Sequence, residues 1–129
     1  MAVTIPVSWG ELFDKITILQ IKAERITDAG KKKNVDTELA ELLAIKDGAM
    51  PLADEVEVMM DGLRDANEKL WDIEDDIRRC ERDKRFDDEF IGLARAVYVT
   101  NDRRAELKKQ INILLDSGLV EEKSYESYD

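Results

Sequence analysis

The sequence predicts an all-α protein. A long antiparallel helical hairpin spans about residues 52–85 and 87–116, with an N-terminal helix (about 8–27) and a short second helix (about 35–47) packed against it. Three observations predict this. Leu52, Val56, Met59, Leu63, Ala66, Leu70, Ile73, Ile77 and Cys80 follow one another in unbroken steps of four and three, the heptad seam of a coiled-coil helix. Phe90, Leu93, Val97, Thr100, Arg104, Leu107, Ile111 and Leu114 repeat the alternation. Folded back about residue 85, the seams pair in one register: Cys80 meets Phe90, Ile73 meets Val97, Ala66 meets Arg104, Leu63 meets Leu107 and Val56 meets Leu114. At ~1.5 Å per residue the first arm is about 50 Å long. That exceeds the width of a compact chain of this size, so the other segments must lie along it.

In chain order, Ala2 to Val7 is β-branched and interrupted by Pro6, which reads as an extended arm. Ser8 and Glu11 have capping-box spacing and open the first helix. Its main stripe is Leu12, Ile16, Leu19, Ala23 and Ile26, while Ile18 and Ile21 fall on nearly the opposite side. A surface helix needs one apolar face; two imply a helix sandwiched between others or lying at a subunit interface. Gly30 with Lys31, Lys32 and Lys33 reads as a solvated turn. Asn34 or Asp36 caps the second helix, whose apolar side is Val35, Leu39, Leu42 and Leu43. Gly48 suits the C′ position and Pro51 the first turn of the third helix. Gly62 lies inside that helix, off the seam, as a weak point worth about 1 kcal/mol relative to alanine. Asp83 to Phe86 makes the hairpin turn, and the fourth helix stops before Ser117-Gly118. Tyr125 and Tyr128 are expected to pin the tail (117–129) to the helices. The 129 residues form a single domain with an arm at 2–7 and this tail.

Composition narrows the function. The net charge is −10, which argues against a nucleic-acid binder and against anionic membranes. There is no histidine, so the commonest general base and metal ligand is missing. Cys80 is the single cysteine; it can form no internal disulfide and suits the seam as a small buried hydrophobe. No apolar run spans a bilayer and the N-terminus lacks a signal peptide's pattern, so a cytoplasmic protein, of a bacterium or an infected cell, is expected. Glu38 with Glu41, and Asp54 with Glu57, have the spacing of magnesium-holding acids in all-α nucleotide pyrophosphohydrolases. The second pair reverses the usual order. No catalytic residue, metal or cofactor is assigned.

Two polar constellations stand out. Arg104 intrudes into the fourth helix's seam opposite Ala66, where Asn67, Asn101 or a nearby carboxylate is expected to hydrogen-bond it. This reads as a buried polar layer that fixes register, and on that reading Arg104→Leu keeps or raises stability. Beside the third helix's seam, Asn67, Trp71, Glu74, Arg78 and Glu81 share a face. Trp71 packed under the first helix with a Glu74–Arg78 surface bridge explains them structurally. The functional alternative is a groove completed by Lys15 or Lys22 and by Arg95 or Tyr98, able to hold a small anionic ligand.

The runs PVSWGELFDKITILQIKAERI (6–26), NEKLWDIEDDIRRCE (67–81), FIGLARAVYVTNDRRAELKKQIN (90–112) and VEEKSY (120–125) cover nearly the whole chain in order. Together they resemble a family of small bacterial and phage helical proteins catalogued only as a domain of unknown function. The resemblance implies no particular chemistry. It implies shared polar positions at Glu11, Asp14, Lys15, Lys22, Asn67, Trp71, Glu74, Arg78, Arg95, Tyr98, Asn101, Asp102 and Arg103, several of which coincide with the groove. It also implies genes for sugar transfer and the cell envelope as neighbours, and hence a sugar-related ligand as an option.

The expectation is therefore a non-catalytic helical module that assembles with itself or with another protein. The homodimer version buries Ile18 and Ile21 across a two-fold axis; the intramolecular version covers them with Leu39, Leu42 and Leu43. The alternative function is a small ligand-binding domain or enzyme using the groove.

Overall fold

The two matched seams become the two longest helices of the protein. The computed structural model describes residues 2–49, 54–115, 122 and 124–128. Within them the chain forms α1 (Trp9–Arg25), α2 (Ala29–Ala49), α3 (Asp54–Arg82) and α4 (Asp88–Leu114). The fold is all-α, as predicted, and α3 packs against α4 as the hairpin. Val56, Leu63, Ala66, Ile73 and Cys80 of the α3 seam are buried. The expected roles of Leu52 and Pro51 lie outside the described residues, and α4 ends at Leu114 with Leu115 as its cap, two residues short of the expected Asp116. Between the arms, Arg103 Nη1 donates to Asp65 Oδ2 at 3.0 Å. A Cβ built on Gly62 would stand 3.3 Å from the Leu107 side chain. Both contacts fall at the level the seam pairing requires. Gly62, expected as a weak point, is instead a place where the hairpin arms approach closely.

The hairpin turn explains itself locally. Lys84 has φ 55°. Its N–H donates to the Glu81 carbonyl and the Arg85 N–H to the Cys80 carbonyl, a Schellman closure built without the usual glycine. Asp87 then caps α4 by accepting from the Phe90 N–H.

α2 differs from its expected course. It starts at Ala29, not near residue 35, and runs for 21 residues. The Asp28 carboxylate accepts from the Lys31 N–H at 2.9 Å, so Asp28 is the cap rather than Asn34 or Asp36. Aspartate is among the strongest caps and lysine is a good helix former, so Lys31, Lys32 and Lys33 continue the helix where a turn was expected. Lys32 pairs with Asp36 one turn on, at 3.2 Å. Gly48 falls inside the last turn, not beyond it.

α1 touches all three other helices and lies between α2 and the hairpin, which accounts for its two apolar faces. Leu12, Phe13 and Ile16 join Val56, Leu63 and Ile111 in one core, closed on the other side by Leu39, Leu42 and Leu43 of α2. Of the two isoleucines expected at an interface between subunits, Ile18 is half-buried and Ile21 is buried. Ile21 is 1 % exposed within the single chain, and both isoleucines line a groove with side chains of α3 and α4. The face they occupy turns toward the hairpin. The expected cover by α2 goes instead to the main stripe.

The N-terminal half of α1 runs antiparallel to α4 at close range. Ser8 caps α1 by accepting from the Glu11 N–H at 3.1 Å. Gly10 is buried, and its N–H donates to Asn112 Oδ1 at 2.7 Å. A Cβ at Gly10 would lie 2.5 Å from the Lys108 carbonyl oxygen, so only glycine allows this approach. The arm (2–7) is exposed and non-helical. At the other end, Tyr128 rests on Tyr98 of α4 with ring centroids 5.3 Å apart, the pinning expected of the tail. No helix among the described residues is long and apolar enough to cross a membrane.

Gly10→Ala tests the close approach. The clash falls on backbone, and shifting α1 also stretches the Gly10–Asn112 hydrogen bond. The variant should lose about 3 kcal/mol of stability, read as a lower urea midpoint. An unchanged midpoint would mean that α1 does not lie against α4 at this distance.

Candidate functional site

The centre of the molecule is polar. Gly10, Asp14, Thr17 and Ile21 succeed one another on α1 in steps of four, three and four, and all four are buried. Facing them, α4 presents Asn101, Arg104, Lys108 and Asn112, and α3 presents Asn67. Asp14 is 1 % exposed and is the hub. Arg104 Nε donates to Asp14 Oδ1 at 2.8 Å and Arg104 Nη2 to Asp14 Oδ2, a two-pronged fork. Asn67 Nδ2 donates to Asp14 Oδ1 and to Thr17 Oγ1, each at 3.0 Å. Arg104 Nη1 also reaches Asn101 Oδ1 at 3.4 Å. One turn away, Lys108 Nζ pairs with Glu11 at 3.0 Å. Among the described residues every buried side-chain nitrogen and oxygen has a partner.

The predicted layer of Asn67, Asn101 and Arg104 is present, but its anchor comes from α1. Burial pushes the Asp14 carboxyl up; hydrogen bonds from Arg104 and Asn67, with the charges of Arg104 and Lys108, outweigh that and hold it below its ordinary value of 3.8. This partner reverses the expected sign of Arg104→Leu. With amides alone, losing the cation would relieve a buried charge. With Asp14, it strands a carboxylate whose side chain is 2 % exposed.

Beside the layer opens a groove of about 490 Å³ between α1, α3 and α4. Asn67, Trp71, Glu74, Arg78 and Asn101, five of the predicted ligand contacts, line it together with Ile18, Ile21, Leu70, Asp75, Val97 and Arg104. Lys15, Lys22, Arg95 and Tyr98 are not among the described residues on its wall. Lys15 and Arg95 point to solvent, and Tyr98 lines a neighbouring cavity. The groove cations are engaged: Arg104 on Asp14, and Arg78 on Glu74 at 3.1 Å. Arg25 of α1 lies over the Trp71 ring, 5.8 Å from its centroid, and bridges Asp72 at 2.6 Å. Trp71 thus packs near α1 and still borders the groove, combining both sequence readings. Asp14, Thr17 and the Glu11–Lys108 pair were not reached from spacing. Their signal was the buried stripe on α1, of which only Ile21 is apolar.

Cys80 is buried and free. No group of three or more His, Cys, Asp or Glu side chains among the described residues is arranged to hold a metal ion. Comparison with protein-family models, curated proteins and solved structures finds no match to this chain.

Asp14→Leu and Arg104→Leu should each destabilise the fold by about 3 kcal/mol, because each leaves a charge without its fork. The double variant should recover most of that loss. Additive losses in urea titrations would show that the two side chains act separately.

Acid should act through the same group. A carboxyl whose folded value is depressed contributes stability that is complete above its unfolded value of ~3.9. That contribution is lost as pH falls through the lower folded value. As pH falls below ~4, the unmodified protein should lose more stability than Asp14→Asn does. Parallel pH profiles for the two proteins would contradict this role.

Proposed function

We propose that this chain is a non-catalytic helical module that assembles with a second copy or with a protein partner through α2. The observation that carries the reading is the poor cover of α2. It spans 21 residues, none of them buried. Among the described residues its backbone comes close to α1 alone. Val35, Leu39, Leu42 and Leu43 are half-buried, and Ile45 is 51 % exposed. Helices in water owe most of their stability to tertiary burial of an apolar side, and α2 has room for more of it.

The polar centre supports the same reading from the other direction. A general base works best with a pKa near the operating pH. Asp14 is held ionised, is buried, and already accepts from Arg104 and Asn67. Its geometry is that of a structural tie. The charge of −10 suits a protein partner better than a phosphate backbone.

A second reading follows from the groove. Its cations are paired and Asp75 adds negative charge, so an anion is a poor match. A neutral, sugar-like molecule stacked on Trp71 and bonded to the Asn67 and Asn101 amides fits better.

Light scattering should give a mass above the 14.8 kDa of one chain, and α2 amide protection should rise with protein concentration. Ile45→Glu should lower that mass while keeping helix content. Native mass spectra that show a monomer carrying a co-purified small molecule would favour the groove. A bare monomer, with α2 as protected as α1 at every concentration, would sink self-assembly through α2.

A further inference from the structure

The chain has three tyrosines, and all three border one cavity. Tyr98 stands on α4, while Tyr125 and Tyr128 stand opposite it on the C-terminal segment; the space between is about 630 Å³. Asp102, Glu126 and Asn101 complete the polar part of the wall. Among the described residues that line it there is no lysine or arginine. The cavity shares only Val97 and Asn101 with the groove beside Trp71.

Both kinds of group on this wall attract the same guest. The face of an aromatic ring carries negative potential and draws a cation over it. Asp102 and Glu126 add formal negative charge. Tyr98 and Tyr128 meet at 52° with centroids 5.3 Å apart, so they form a corner instead of a flat stack. An anion would be repelled by the carboxylates, and an uncharged apolar guest would waste them. The chain's overall charge of −10 also raises the local concentration of cations.

We propose that this cavity is a binding site for an organic ammonium group: a quaternary or methylated ammonium head seated among the three tyrosines, with Asp102 and Glu126 balancing its charge. Weakly hydrated ammonium heads suit such aromatic enclosures better than compact, strongly hydrated inorganic cations. The head is smaller than the cavity, which leaves space for the chain that carries it. That chain belongs either to a free small molecule of the choline type or to a methylated lysine on a protein.

The test is a titration of the whole unmodified chain at constant ionic strength, followed by the tyrosine ring signals in NMR spectra. Choline should shift these signals saturably. Its neutral carbon isostere, 3,3-dimethylbutan-1-ol, should bind roughly tenfold or more weakly, since it lacks both the cation–ring and the cation–carboxylate attraction. Tyr128→Leu should weaken choline roughly fivefold, and Tyr128→Phe should restore it. Tyr128 lies outside the helices, so its loss leaves the fold in place. A peptide bearing trimethyllysine that binds more tightly than choline would identify a protein as the carrier. One that binds no better would identify a small molecule. The proposal is overturned if the isostere matches choline, if neither cation gives saturable shifts, or if Tyr128→Leu binds choline as the unmodified chain does.

Discussion

The fork between Arg104 and Asp14 decides where α1 can sit. Two charges taken out of water cost several kcal/mol each, and only good geometry with further hydrogen bonds offsets this. The fork, the Asn67 amide and the nearby Lys108 supply that compensation at one position of α1 along the hairpin. Sliding α1 by a turn would part Asp14 from α3 and α4 at once, leaving a carboxylate in the core. Apolar contacts resist such a slide weakly, since one leucine can replace another. The charge cannot be replaced. The Gly10 approach and the Glu11–Lys108 pair act at the same level, so α1 is located by polar matching and then held by Phe13 and Ile16.

The sense of the helices supports this arrangement. α1 runs antiparallel to α4, which sets Glu11 near the N-terminus of one helix against Lys108 near the C-terminus of the other. Glu11, in the first turn of α1, then also meets the favourable end of its own helix dipole. At the far end of α1, Glu24 reaches Arg64 at 2.5 Å and Arg25 reaches Asp72 at 2.6 Å. These pairs are largely exposed and contribute little to stability. Their effect is on direction, because they hold the end of α1 toward α3.

The hairpin was legible because its seams are apolar and long, so a four–three alternation could not be mistaken for noise. The docking face of α1 follows the same alternation through Gly10, Asp14, Thr17 and Ile21, yet hydrophobicity cannot find it: one member has no side chain and two are polar. Ile21 was the visible fragment, and alone it resembled a patch awaiting a partner. The start of α2 was hidden differently. A lysine run after a glycine reads as a turn by composition, and the Asp28 cap overrode it. Of the groove, the α3 stripe was readable as one helical face. Its α4 wall was not, because which of Arg95, Tyr98 and Asn101 faces α1 depends on rotation about the hairpin, and seam pairing sets that only coarsely.

The charge distribution then separates what holds the fold from what remains for other molecules. Arg104 and Lys108 are both committed to α1 carboxylates, and Arg78 to Glu74. Acids outnumber bases by 30 to 20 over the whole chain, so the committed cations leave an outward field that is negative. Such a field discourages close approach of like-charged copies at long range. The proposed assembly therefore depends on short-range burial of apolar surface, and that directs attention to α2, where Ile45 is exposed and the half-covered leucines lie near it in the helix. The same field favours cations at any concave, acidic surface. The tyrosine-lined cavity is such a surface, and its carboxylates stand outside the ion pairs that position α1. The acidity that limits one kind of contact thus promotes the other.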